Sequence, residues 1–172
     1  MPSDRRGHRG GVERHEDKSL LAQVALFFEQ NQESRFKEWD DTCLVCNGTG
    51  LAPSPVRGME GTGFTEDKVC PTCNGSKRWF REVRDKAGYR KFENGRWIYY
   101  VYRETFKQEV IKGFAEKSAC KTLIERKVLL PEIEQNPETG KIWKRSTRRE
   151  RLPIEGNDRV YVIDPAALSR EE

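Results

Sequence analysis

Histidine is scarce in this chain: two among 172 residues, His8 and His15, both near the N-terminus. General acid–base catalysis most often relies on a positioned histidine, and the polar, Gly/Arg-rich stretch MPSDRRGHRGGVERHEDK does not position one. There is no G-x-x-x-x-G-K-[ST] phosphate loop and no G-x-G-x-x-G turn ahead of a helix. The glycines of GMEGTG follow no predicted strand. No apolar run reaches the ~18 residues of a membrane span, and the first residues lack the apolar stretch of a secretion signal. These absences argue against a nucleotide-driven enzyme and a membrane protein, and they favour a non-catalytic protein of the cytoplasm. Apolar content is also low, with 35% hydrophobic against 35% charged residues. The expectation is a modest packed unit with exposed segments beside it. Residues 1–17 read as a disordered tail and 166–172 as a tail.

Cysteine is sparse but ordered. Four of the five cysteines form two C-x-x-C pairs, CLVCNGTG at 43–50 and CPTCNGSK at 70–77. The spacing is C-x2-C-x23-C-x2-C through Cys43, Cys46, Cys70 and Cys73. Without a secretion signal this favours a metal over two disulfides or a redox pair. A tight C-x-x-C bend puts two sulfurs on one side, and two such bends close a tetrahedral site of the kind structural Zn2+ prefers. The glycines after each pair let backbone amides turn toward the sulfurs. A closed four-Cys site leaves no open position for water, so a structural ion is expected rather than a catalytic one. Cys120 lies apart, on the apolar side of a predicted helix, and reads as a core thiol. Asp40-Asp41 reads as a solvated surface pair.

Both copies resemble the C-x-x-C-x-G-x-G repeat of the DnaJ co-chaperones. The first matches through Gly50; the second ends in Lys77. The chain has two repeats, enough for one ion, and no His-Pro-Asp signature. The resemblance covers about forty residues and implies a fold for the finger, not chaperone activity.

Along the chain, Leu20, Leu21, Val24, Phe27 and Phe28 predict a helix from Ser19 to about Gln32, capped by Ser19 with Asp17 at its positive end. The Pro/Gly-rich middle of the cysteine segment, LAPSPVRGMEGTGFTED, reads as a loop. GRWIYYVY predicts a strand at about Arg96–Tyr102. Two helices follow, Glu104–Lys112 and Glu116–Lys127, broken at Gly113 with helix-turn-helix spacing. KIWKRSTRRERLP, the turn IEGND and RVYVID then predict a basic hairpin. The order is that of a winged helix with the hairpin as wing. The expected fold is α+β: a winged-helix-like domain over 18–41 and 80–165, with a four-Cys finger inserted at 42–79.

Net charge is only +4, but its distribution is uneven. Lys77–Arg151 holds 21 Lys and Arg against 11 Asp and Glu, net +10, which leaves the rest at −6. That asymmetry suggests a phosphate-bearing partner. Lys117 and Lys121 on the second helix, and Lys141, Lys144, Arg145, Arg148 and Arg149 on the hairpin, are the candidate phosphate contacts. Trp143 either stacks on a base or packs under the wing. DNA and RNA, single strand and duplex, stay open, as does a protein-interaction adaptor or an inhibitor that docks a partner through the finger.

A longer resemblance spans about 120 residues with the finger treated as an insert. Arg35-Phe36, Gly88-Tyr89-Arg90, Phe106, Glu109-Val110, Gly113-Phe114, Arg151-Leu152-Pro153 and Arg159-Val160-Tyr161-Val162 resemble the C-terminal region of large replication ATPases of phages, plasmids and genomic islands. The ATPase portion is absent. The resemblance implies an accessory module of a mobile-element replication system that meets DNA, a helicase or another replication protein.

Overall fold

The computed structural model describes residues 9–39, 43, 45–77, 83–153 and 155–171. The chain divides into two compact units, Met1–Lys37 with Val83–Glu172, and Glu38–Glu82. The architecture is mixed α+β.

The larger unit begins with helix α1, Arg9–Asn31. Leu20, Val24, Phe27 and Phe28 are all buried, the i, i+4, i+7, i+8 stripe of a helix with one face in a core. The helix starts well before Ser19, which lies inside it, exposed. The expected tail therefore does not hold for Arg9–Asp17, which are helical; residues 1–8 lie outside the described residues. Asp17 does not serve the helix end. It accepts a hydrogen bond from Thr122 Oγ1 at 2.9 Å.

Five strands form one sheet: β1 (Phe36–Glu38), β4 (Gly88–Glu93), β5 (Arg96–Tyr102), β8 (Arg148–Leu152) and β9 (Gly156–Ile163), in the order β1-β4-β5-β9-β8. β4 and β5 join through Asn94-Gly95, both at positive φ (51° and 78°), the two-residue turn whose twist suits a hairpin. Gly88 opens β4 at a close crossing, where a Cβ would lie 1.9 Å from the Tyr100 carbonyl oxygen. No side chain fits there.

One face of this sheet carries Tyr99, Val101, Tyr161 and Ile163 in register. These pack on α1 and on two further helices. The first, α2, is an α-turn at Arg103–Thr105 that runs into a π-turn at Phe106–Val110; the second, α3, is Glu116–Glu125. Phe106 stacks on Tyr161 with centroids 3.7 Å apart. Gln23 of α1 donates to the Val110 and Lys112 carbonyls at 2.9 and 3.0 Å, which covers the end of α2. Gly113 breaks the pair at φ +89°. Arg35 and Glu109 form a two-point ion pair beside it.

The basic segment does not form one strand of a single hairpin. Ile142–Arg145 (β7) pairs with Glu132–Gln135 (β6) in a separate two-stranded sheet, and only Arg148–Leu152 pairs with β9. The expected wing is therefore split at Ser146-Thr147. The C-terminal segment also differs from expectation. Pro165–Glu171 is a 3-10 helix, and Ala167 is buried in the main core. Asp164, itself buried, binds Arg96 at 3.1 Å and accepts the Ala166 amide at 3.1 Å.

In the smaller unit, the segment expected to be a loop forms a hairpin of β2 (Leu51–Pro55) and β3 (Thr65–Val69). Its two prolines do not break the ladder. The bonds from Cys70 N to Gly50 O and from Val56 N to Phe64 O place the paired amides at even positions of β2. Pro53 and Pro55 then fall where the missing N–H would have pointed outward.

Candidate metal centre and basic groove

Cys43, Cys46, Cys70 and Cys73 are all buried, and their sulfurs lie within 4.8 Å of one another. Cys43 and Cys70 sulfurs are 3.9 Å apart, and those of Cys46 and Cys73 3.7 Å. A disulfide needs about 2.05 Å. Four sulfurs tetrahedrally placed about 2.3 Å from one ion would be roughly 3.8 Å apart. The cluster is thus a buried site able to hold a metal ion, and its all-thiolate donor set suits a soft or borderline one.

Each element of this site appears twice, as the doubled motif requires. Asn47-Gly48 and Asn74-Gly75 all take positive φ (48°, 77°, 49° and 77°). Thr49 and Ser76 hydroxyls donate back to the Cys46 and Cys73 carbonyls at 2.8 and 2.6 Å. Cys43 N donates to Lys77 O at 3.1 Å, and Cys70 N to Gly50 O at 2.9 Å. Each knuckle thus ties its first cysteine to the last residue of the other. The one departure in the motif, Lys77 against Gly50, also has a cause. A Cβ on Gly50 would meet the Gly75 carbonyl oxygen at 2.9 Å and the Lys77 side chain at 3.2 Å. Lys77 adopts a left-handed φ as well (+69°), and its side chain lies over Gly50, the position where the Gly75 carbonyl leaves no room for a Cβ.

The amides aim at the sulfurs. Gly50 N lies 3.3 Å from Cys46 Sγ. Burial pushes the Cys46 thiol up, but the Gly50 amide, the Cys73 and Cys43 sulfurs and the Gly48 amide outweigh it and bring it to about 6. The Cys73 amide, against burial and with help from the Thr72 amide, lowers Cys70. The Cys46 amide lowers Cys43 while burial raises it; with the Cys46 and Cys70 thiols also raising it, the net shift is upward. The four sulfurs are close enough to influence one another's ionisation, and a central cation would favour the thiolate form of all four.

The second candidate lies in the larger unit. Lys117 and Lys121 of α3 and Lys144 of β7 line one groove of about 680 Å3, together with Glu116, Cys120, Ile124, Glu125 and Ser146. Cys120 is in its floor, and burial holds that thiol at about 11. Glu116 is engaged by Lys107 at 3.2 Å and by the Tyr161 hydroxyl at 2.6 Å. Lys117, Lys121 and Lys144 have no carboxylate partner among the described residues.

The remaining basic candidates are not brought to this groove. Arg145 pairs with Glu134 at 3.2 Å, and Trp143 donates its indole N–H to the same carboxylate at 2.6 Å. Trp143 and Glu134 are directly opposed in the register, so they share the strand face that Lys144 does not. Arg148 pairs with Glu150 at 3.3 Å. Lys141 is exposed at the start of β7, and Arg149 is exposed opposite Arg159. Asp40 and Asp41 lie outside the described residues.

A third cluster had no signal in the sequence. Glu155 accepts from Tyr89 and Tyr102 hydroxyls, both at 2.6 Å, and from Lys86 at 2.9 Å. Lys86 lies 3.8 Å from the Tyr89 ring centroid. The partners are more than fifty residues from Glu155 in sequence, so no local pattern joins them.

No family model matches the chain, and no curated protein or solved structure matches it. No described helix is long and apolar enough to cross a membrane.

Proposed function

We propose that this is a non-catalytic nucleic-acid-binding protein, cytoplasmic, whose four-cysteine unit holds a structural zinc ion. The observation that carries the reading is the convergence of Lys117, Lys121 and Lys144 on one groove without carboxylate partners. Uncompensated ammonium groups are what phosphate contacts use. The helix pair α2–α3 and, after the intervening β6–β7 sheet, the β8–β9 hairpin are the elements taken in this reading as a winged-helix-like domain. DNA is the expected partner. Its setting, replication or maintenance of a phage or mobile element alongside a helicase, rests on the sequence resemblance alone.

The test is binding of labelled DNA to the full chain over a range of salt. Affinity should fall linearly in log–log form, and Lys117→Ala with Lys121→Ala should reduce the slope by about 1.4 to 1.8 units. A slope near zero ends the reading. Zinc is checked separately by elemental analysis of purified protein, which should give one ion per chain.

A second reading, a protein-interaction adaptor, is favoured by one observation. The four-cysteine unit exposes Phe64 (66%), Val69 (61%), Val45, Leu51 and Met59. Binding that tolerates high salt and is lost in Phe64→Ser or Val69→Ser would select it.

A further inference from the structure

The α3–β7 groove also has a shape, and shape bears on which nucleic acid it takes. This step rests on the nucleic-acid reading above. A helix that reads duplex DNA must project into a major groove about 12 Å wide. α3 does not project freely on the side that carries Lys117 and Lys121. Those residues form one wall of a concavity whose other wall is Lys144 and Ser146. Ser146, which follows β7, and Cys120 of α3 both line it, so the strand side and the helix side face one concavity.

The groove has two chemistries. Its rim carries three ammonium groups, against Glu125 as the one carboxylate that no cation engages among the described residues. Its floor carries Cys120 and Ile124. Ile133 is directly opposite Lys144 in the β6–β7 register, and Ile142 lies two residues along on the same face. Both isoleucines are exposed. A duplex presents phosphates outward and keeps its bases stacked inside. A single strand presents phosphates on one edge and unpaired bases on the other. Channels that hold single strands match it with a cationic track beside side chains that contact the bases, most often aromatic ones; here that surface is aliphatic.

We infer that the α3–β7 groove binds single-stranded nucleic acid, with phosphates along Lys117, Lys121 and Lys144 and bases toward Ile124, Ile133 and Ile142. Trp143 is not the stacking platform, because it lies on the opposite strand face and is held by Glu134.

The experiment is a fluorescence-anisotropy titration of the full chain with a labelled oligonucleotide and with the blunt duplex of the same sequence. The single strand should bind at least tenfold more tightly. The variant Lys117→Ala/Lys121→Ala/Lys144→Ala should lower its salt slope by about 2, at roughly 0.7 per phosphate contact. The uncharged change Ile142→Ser should weaken the single strand severalfold and the duplex less. If the triple variant lacks the parent's circular dichroism spectrum, Lys144→Glu at an exposed strand position reads the same slope. Equal or tighter duplex binding overturns the single-strand inference and leaves the nucleic-acid reading standing. Absence of binding to either form removes both. Displacement of the strand by polyglutamate at equal charge concentration means the groove answers to charge alone, and it too overturns the inference.

Discussion

The two units of this chain hold themselves together by different means. In the larger one, nineteen of the described side chains, from the helices, the sheet and the segments between them, form a single buried apolar cluster. In the smaller one, the buried cluster is four cysteines and Ala52, and every residue of β3 is exposed. A hairpin of this size has too little apolar surface to stabilise itself in water. Its order must come from the centre, where four sulfurs are placed to hold an ion and two crossed backbone bonds join the knuckles. The larger unit has the reverse logic: its charges are at the edge, and its stability is in packing.

Removing the metal breaks this comparison most sharply. A chelator, or Cys70→Ser, should leave residues 38–82 open to limited proteolysis while Val83–Glu172 stays protected. Apparent metal-coupled folding energies for such sites are about 10–16 kcal/mol. Fragment masses after brief protease treatment report the outcome; uniform cleavage of both units would show that they are not independent.

The converse change comes next. Phe106→Ala should destabilise the larger unit by about 3–5 kcal/mol, through a cavity against Tyr161. Urea unfolding measures the loss, and bound metal per chain should not change below the transition.

Within the smaller unit, the two knuckles can be set against each other. Gly50→Ala forces a Cβ onto the Gly75 carbonyl at a left-handed φ, and should lower metal affinity tenfold or more, about 1–3 kcal/mol. Lys77→Gly should change it less than threefold. Competition with a chromogenic chelator compares the two, and equal effects would contradict the asymmetry.

The smallest expected effect concerns Glu155. Burial raises its carboxyl, but hydrogen bonds from Tyr102, Tyr89 and Lys86 prevail and hold it at about 2. A carboxylate lowered on folding stabilises at pH above its ordinary value of 4.5, and that contribution fades as pH falls from there toward 2. With the side chain 38% exposed, solvent screening leaves about 1 kcal/mol. Glu155→Gln should therefore lower the urea midpoint of the larger unit at pH 6 and leave it nearly unchanged near pH 2.5.

Some of this was legible in the residues. The two C-x-x-C pairs specify the centre, because short-range spacing alone decides which sulfurs share a bend. The apolar stripe of α1 and the aromatic, β-branched run of β5 specify their own elements for the same reason. Other features were hidden. β2 contains two prolines, and only its register against β3 reveals that neither needed to donate. α1 is already helical at Arg9, ahead of the Ser19 cap signal. β7 is exposed along its whole length, so no buried face announces its partner, and the basic run was read as one strand of a single wing.

The sequence by itself determined the four cysteines of the candidate metal centre, the helix pair, and a basic half beside an acidic one. Periodicity, spacing and charge are local quantities that survive without coordinates. Only the tertiary structure decided which charges are free. It gave Arg145 and Arg148 to Glu134 and Glu150, turned Trp143 away, and gathered Lys117, Lys121 and Lys144 on one groove. Pairing across strands and between helix and hairpin depends on distances in space, and Lys144, more than twenty residues from Lys117 and Lys121, carries no record in the residue order that it shares their groove.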